Sequence, residues 1–179
     1  DIIQNFTGEI VIKEGCWNAK TRTGVGTRNA TGGAIWVENG ATLQIHSAIK
    51  INNTEANRDA YGILRQVYLI GTGWKNEGAL IGSSDQDWNT EVYHAIPKFL
   101  TLLGDTKIGA KQHVNLNDLT VDLNGFTATV CPYNTDWLCM SGDWKNGTIV
   151  VDRNPIILMQ PALTGGSENI IRFKKGSGY

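Results

Sequence analysis

Six tryptophans carry the most distinctive chemistry of this chain. Three of them directly follow an aspartate, whereas chance predicts about 0.3 such pairs for six Trp and 10 Asp in 179 residues. An exposed indole offers a flat apolar face to the C–H surface of a sugar, and a neighbouring carboxylate accepts hydrogen bonds from sugar hydroxyls. The pairs therefore predict carbohydrate contacts at Asp87-Trp88, Asp136-Trp137 and Asp143-Trp144.

Two further aromatic residues belong to this predicted binding set. Trp36 stands between Ile35 and Val37 in a strand-like run, so alternation predicts that its ring points outward when its neighbours point inward. Tyr133 lies close to the second Asp-Trp pair and is a weaker member. The alternative is that these tryptophans are core residues, as most are in a small domain.

The residues that suggest catalysis are fewer. Asp85 and Asp87 would share one face of a strand and could bind Ca²⁺ or form a carboxylate pair, but two acids in this setting are more typical of a solvated turn. Asp152, Arg153 and Lys98 offer a base and its partners. The three histidines lack metal-ligand spacing. No catalytic residue, metal ligand or cofactor is therefore assigned.

The composition predicts the kind of scaffold that holds these residues. Ile, Thr and Val make up a quarter of the chain, interleaved with 21 Gly and 16 Asn, a mixture of strand and turn formers. The length suits one all-β domain over residues 1–179. A net charge of −1 argues against a nucleic-acid partner, and the most apolar run, Ile156 to Met159, is too short for membrane insertion.

A short cassette recurs along the chain. One or two polar residues precede a glycine, and a strand-like run follows; the glycines are Gly15, Gly40, Gly78, Gly125 and Gly147, at intervals of 25, 38, 47 and 22 residues. Glycine and asparagine accept the positive φ of a tight turn. A second echo pairs the run from Val67 to Gly71 with the run from Leu100 to Gly104. Strands this short must stack to bury a core, so the repeat predicts a β-solenoid.

A β-sandwich is the structural alternative, because Asn-Gly pairs also build hairpins. Such pairs occur at Asn39-Gly40, Asn124-Gly125 and Asn146-Gly147. One window fits neither architecture: from Glu55 to Tyr68 the apolar residues follow helical spacing, which predicts a short helix or loop excursion before the next strand.

The cassettes resemble the autotransporter-associated β-strand repeat. The resemblance lies in the segments Gly33 to Ile45, Thr7 to Gly15 and Val121 to Thr127, and the segment from Phe173 to Tyr179 is similar to the opening of a further unit. It implies a single-stranded, right-handed parallel β-helix on a secreted or surface-displayed bacterial protein. Such helices serve as adhesin stalks, carbohydrate-binding modules and scaffolds of polysaccharide lyases. The repeat assigns no binding or catalytic residue.

Two stretches depart from the repeat, Ser83 to Phe99 and Cys131 to Trp144. Insertions in a solenoid project from one face, which is often the binding face, although such loops can also merely cover a coil. The second stretch contains two of the three cysteines, Cys131 and Cys139, which form a disulfide only in an oxidising compartment. Paired and reduced states both remain open.

These observations favour a non-catalytic module that binds carbohydrate or mediates adhesion, secreted or on the cell surface, with a polysaccharide or glycan as partner. One alternative is a polysaccharide lyase or glycoside hydrolase on the same scaffold, and another is a purely structural stalk. Because a solenoid needs polar caps, the chain is also expected to be a module of a larger protein or to associate end to end.

Overall fold

A computed structural model describes residues 6–19, 33–47, 63–84, 97–111, 114–132, 138–152, 156–163 and 170–173. Within these ranges the chain forms thirteen β-strands and one 3₁₀ turn at Trp74–Asn76, and no α-helix. The strands are β1 (Ile10–Ile12), β2 (Gly15–Ala19), β3 (Ile35–Val37), β4 (Ala41–Ser47), β5 (Ile63–Gly71), β6 (Leu80–Ser84), β7 (Pro97–Lys111), β8 (Val114–Asp122), β9 (Thr127–Pro132), β10 (Leu138–Lys145), β11 (Thr148–Val151), β12 (Ile156–Leu163) and β13 (Ile170–Phe173).

Every strand pairing within the described ranges is parallel. Sheet 1 consists, in spatial order, of β1, β3, β5, the first part of β7, β8, β10 and β12. Sheet 2 consists of β2, β4, β6, the last part of β7, β9, β11 and β13. The chain alternates between the sheets and advances by one strand each time, so the fold is a parallel β-solenoid. A hairpin-built β-sandwich is excluded, because hairpins pair antiparallel strands.

The sequence cassettes form the corners where the chain leaves sheet 1 and enters sheet 2. Gly40 and Gly125 have φ values of 86° and 83°, and Asn124 and Asn146 have φ values of 51° and 61°. The amide Nδ2 of Asn124 also donates to the carbonyl oxygen of Leu102 in the preceding coil, at 3.2 Å. The Asn-Gly pairs therefore turn the chain within a coil and connect it to its neighbour.

The two similar segments of the sequence, Val67 to Gly71 and Leu100 to Gly104, lie in paired strands. Val67 lies opposite Leu100 and Leu69 lies opposite Leu102 in adjacent strands of sheet 1. Both pairs are buried, since alternate side chains of each strand point into the solenoid. The prediction that the two segments are equivalent units of a repeat is confirmed.

The core is a set of inward-pointing columns that run along the solenoid. The column in sheet 1 contains Ile35, Val67, Leu100, Val121 and Trp144, each no more than 1% exposed. The facing column in sheet 2 contains Leu43, Leu80, Ile108, Val130 and Val151. Trp144 is therefore a core residue, and its indole N–H has no hydrogen-bond partner among the described residues.

One charged side chain lies inside the first coils of the solenoid. Arg65 of β5 is 1% exposed, and its guanidinium donates hydrogen bonds to the carbonyl oxygens of Gly33 and Gly8, one and two coils away. The ring of Phe6 lies 5.8 Å from the guanidinium carbon. Burial lowers the pKa of Arg65, and the two carbonyls and the ring offset the desolvation of its charge.

Three local predictions need correction. The helical prediction for Glu55 to Tyr68 is wrong from Ile63 onward, because these residues belong to β5, where strand alternation buries Arg65, Val67 and Leu69; residues 55–62 lie outside the described ranges. The departing stretch from Cys131 to Trp144 begins in β9 and is strand again from Leu138, since β10 pairs with β8 and β12 across a bulge between Met140 and Gly142; residues 133–137 lie outside the described ranges.

The third correction concerns the end of the chain. Phe173 pairs with Val151 in sheet 2, whereas every cassette follows a strand of sheet 1. Phe173 therefore does not begin a further cassette, and residues 174–179 lie outside the described part. Cys131 is buried and Cys16 is half-buried.

Candidate functional site

The outer face of sheet 1 brings aromatic and polar side chains together. Alternation along each strand directs every second side chain outward, and the parallel register aligns these side chains in rows. One row contains Val11, Trp36, Tyr68, Thr101, Asp122 and Lys145. The neighbouring row contains Gln66, Phe99, Thr120 and Asp143. We call the part formed by Val11, Trp36, Gln66, Tyr68, Phe99 and Thr101 the aromatic face.

A stacked pair of rings forms the centre of the aromatic face. The ring centroids of Trp36 and Tyr68 are 4.1 Å apart and their planes differ by 17°. Stacking occupies one face of each ring, and each of the two side chains is half-buried. Val11 and Phe99 beside the pair are 46% and 41% exposed. The result is an apolar surface on a rigid sheet that is open to solvent.

Polar groups lie directly beside these rings. The amide nitrogen of Gln66 donates to the hydroxyl oxygen of Thr101 at 3.1 Å and lies 3.3 Å from the carbonyl oxygen of Phe99. The amide is thereby fixed in orientation, and because its two N–H groups are engaged within the sheet, its oxygen is the group that it offers to a ligand as an acceptor. None of the side chains of the aromatic face is charged.

The charged groups lie further along the same outer face of sheet 1. The Oδ1 atom of Asp122 accepts hydrogen bonds from the backbone N–H of Asn124 at 2.9 Å and from the side-chain amide of Asn146 at 3.1 Å. Its carboxylate is thus tied to the corners of two coils. Lys145 is its neighbour in the row, and Asp143 lies in the neighbouring row.

The predicted binding residues separate into three groups. Trp36 points outward, as predicted, and Asp143 lies on the same outer face four strands further along sheet 1. Trp144 is fully buried, so the prediction that it contacts carbohydrate is wrong: consecutive residues of a strand face opposite sides, and Asp143 takes the outer one. The remaining five, Asp87, Trp88, Tyr133, Asp136 and Trp137, lie outside the described residues.

Sequence reasoning missed most of the aromatic face. Gln66, Tyr68, Phe99 and Thr101 were not among the predicted binding residues. The signal that could have found them is the echo between Val67 to Gly71 and Leu100 to Gly104, because it sets Tyr68 beside Thr101. The repeat of these two segments does not show that Trp36 lies beside Tyr68, because that neighbourhood depends on strand pairing across 32 residues.

The outer face of sheet 2 has a different character. Thr42, Ile81 and Ser83 point outward there but are at most 6% exposed. The segment 72–78, which we call the covering loop, lies against part of this face. The hydroxyl of Thr42 accepts a hydrogen bond from the backbone N–H of Trp74 at 2.8 Å and donates one to the carbonyl of Gly78 at 2.7 Å.

A polar chain crosses the same face of sheet 2. The thiol of Cys16 donates to the side-chain oxygen of Gln44 at 3.5 Å, and the amide of Gln44 donates to Ser83 at 2.9 Å. Burial raises the pKa of the Cys16 thiol; among nearby charges, Lys111 acts to lower it and Glu77 to raise it. Lys111 and Glu77 form an ion pair at 2.6 Å. The hydrogen bonds from Cys16 through Gln44 to Ser83 therefore link β2, β4 and β6.

The described residues include no group of His, Cys, Asp and Glu that could hold a metal ion. No helix within the described ranges is long and apolar enough to cross a membrane. Asp85 and Asp87, the carboxylate pair considered for catalysis, fall outside those ranges, as does Arg153, whereas Asp152 lies directly after β11 and is half-buried.

No family model, curated protein or solved structure matches this chain.

Proposed function

We propose that the chain is a non-catalytic carbohydrate-binding module, secreted or displayed on a cell surface, and that the aromatic face is its binding site. The observation that carries the proposal is the half-buried, stacked ring pair of Trp36 and Tyr68, with exposed Val11 and Phe99 and the oriented amide of Gln66 beside it. Sugars offer apolar C–H surfaces together with hydroxyls, and this combination of ring, amide and hydroxyl complements both.

The shape of the site favours an extended chain. The parallel strands repeat about every 4.8 Å along the solenoid, and their outward side chains form straight rows rather than a pocket. A polysaccharide lying along a row contacts several coils at once. The uncharged character of the aromatic face favours a neutral glycan, because an acidic one would find no cation among the six side chains that form this face.

The test is a titration of tryptophan fluorescence with soluble neutral and acidic polysaccharides, alongside assays for reducing sugars and unsaturated uronates. We expect saturable binding of a neutral glycan without product. Trp36→Ala and Tyr68→Ala should each weaken it by about tenfold, since each removes one stacking contact. Ile170→Ala, which removes an exposed aliphatic side chain from sheet 2, is the matched control. Absence of saturable binding to any glycan would contradict the proposal and favour the structural stalk.

A polysaccharide-cleaving enzyme is the second candidate, and one observation favours it. Asp122 and Asp143 are diagonal neighbours on the outer face of sheet 1, which places their backbone positions about 8 Å apart. Carboxyl groups of inverting glycosidases lie roughly 6.5–9.5 Å apart. However, the hydrogen bonds from Asn124 and Asn146 already give Asp122 a structural role. If the chain releases product from a polysaccharide and Asp143→Asn abolishes this activity, the enzyme replaces the binding module as the proposed function.

A further inference from the structure

The covering loop presents a second aromatic residue to solvent. Trp74 is 40% exposed, and the ammonium nitrogen of Lys75 lies 4.1 Å from the centroid of its ring. A cation over an indole is attracted by the negative face of the ring. The loop thus displays an aromatic surface and a positive charge as one unit, at a distance from the uncharged aromatic face.

The backbone of this loop holds an unusual conformation. Lys75 and Asn76 are consecutive non-glycine residues with φ values of 54° and 58°, a region that side chains disfavour. Gly73 has a φ of 77°, and a Cβ there would lie 1.9 Å from the carbonyl oxygen of Gly78. Only glycine fits this position. Residues held in disfavoured conformations cluster at ligand-binding segments, where the surrounding structure maintains them.

Contacts from two strands maintain the loop. Thr42 of β4 bonds both the backbone N–H of Trp74 and the carbonyl of Gly78. Lys107 of β7 donates to the carbonyl of Asn76 at 2.7 Å, and Lys111 of β7 pairs with Glu77. The Trp74–Lys75 unit is therefore preorganised before any ligand arrives, which lowers the entropy cost of binding.

The charge around the loop favours an anion. Among the described residues that form the covering loop or bind it, the three lysines Lys75, Lys107 and Lys111 outnumber the carboxylate of Glu77. We propose that Trp74 and Lys75 form a second binding site, for an acidic sugar residue such as a uronate. The exposed part of the Trp74 ring contacts the C–H surface of the sugar, and the Lys75 ammonium pairs with its carboxylate.

This site does not depend on the aromatic face, and the two proposals fail separately. Binding at the proposed site of Trp74 and Lys75 requires a charged ligand, whereas the aromatic face prefers a neutral chain. Trp36→Ala and Tyr68→Ala should leave the affinity for a uronate oligosaccharide unchanged, and substitutions in the covering loop should leave the affinity for a neutral glycan unchanged.

The experiment is calorimetric titration of the full chain with an oligogalacturonate and with its methyl ester, in which an uncharged ester replaces each carboxylate. We expect binding of the acid that weakens at high salt. Trp74→Ala and Lys75→Asn should each reduce its affinity by about tenfold or more, because each removes one of the two contacts. Asparagine is chosen at position 75 because it tolerates a positive φ.

Lys13→Ala is the matched control, since Lys13 is an exposed lysine at another corner. Circular dichroism and thermal unfolding of each variant verify that the fold is retained. Equal affinity for the acid and its ester, an unchanged affinity of Lys75→Asn, or no binding of the oligogalacturonate at all would each overturn the proposal.

Discussion

The outer faces of the two sheets are built on the same solenoid and yet are opposites. On sheet 1, Phe99 and Val11 point outward into solvent, beside the stacked rings of Trp36 and Tyr68. On sheet 2, the outward residues Ile81 and Thr42 are buried. The pairing is parallel in both sheets, so strand geometry does not explain the difference. Side-chain chemistry and the covering loop do, and they leave these outward side chains of sheet 1 more exposed than those of sheet 2.

The largest expected effect compares one apolar truncation on each outer face. Ile81→Ala should lower the free energy of unfolding by about 2–5 kcal/mol, because it opens a cavity at a fully buried position. Phe99→Ala should change it by no more than about 1 kcal/mol, since its ring is 41% exposed. Urea denaturation measures both values. Equal losses for the two variants would show that both faces are covered.

The next largest effect on the free energy of unfolding compares two threonines, one on each outer face. Thr42→Val should cost about 1–3 kcal/mol, because it leaves the N–H of Trp74 and the carbonyl of Gly78 without their hydroxyl partner in a buried setting. Thr101→Val, with the same change of shape on the aromatic face, should stay within about 0.5 kcal/mol. The readout is again the free energy of unfolding in urea. If Thr42→Val left the free energy of unfolding unchanged, the hydroxyl of Thr42 would not stabilise the covering loop.

The smallest effect is a pH dependence on the outer face of sheet 2. Because burial raises the pKa of Cys16, the folded chain disfavours its thiolate. The resulting contribution to stability is complete below the thiol pKa of the unfolded chain, about 8.5, and is lost as pH rises from there through the higher pKa of the folded chain.

Alkylation by iodoacetamide, followed by mass spectrometry of the peptide that carries Cys16, measures this pKa. We expect half-maximal reactivity at a higher pH in the folded than in the unfolded chain. Glu77→Gln should move the midpoint down and Lys111→Met should move it up, since these are the directions in which the two charges act. A midpoint equal to that of the unfolded chain would show that this face is open to water.

The sequence predicted the architecture well for a physical reason. The corners need positive φ, and Asn and Gly supply it, so the cassette around Asn124 and Gly125 is visible without any knowledge of pairing. Alternation is equally local, and it correctly placed Trp36 outside between Ile35 and Val37. Both properties are determined by neighbouring residues.

The aromatic face was harder to predict because it depends on register between distant strands. Asp143 and Trp144 are adjacent in sequence, and treating them as one surface overlooked the opposite directions of neighbouring side chains in a strand. Once Trp144 is aligned with Val121, its burial follows, but that alignment contains a bulge between Met140 and Gly142 that no repeat period reveals. The covering loop likewise depends on Thr42, more than 30 residues away.

Arg65 gives the first described coils of the solenoid a particular mechanical property. In a solenoid each coil holds only its neighbours, so tension on one end peels strands away one at a time. Because the guanidinium of Arg65 binds the carbonyls of Gly33 and Gly8 together, β1 cannot detach without straining β3 and β5 as well. Force applied to this end would therefore have to disrupt the contacts of β1, β3 and β5 together. We expect one large unfolding event instead of two small ones.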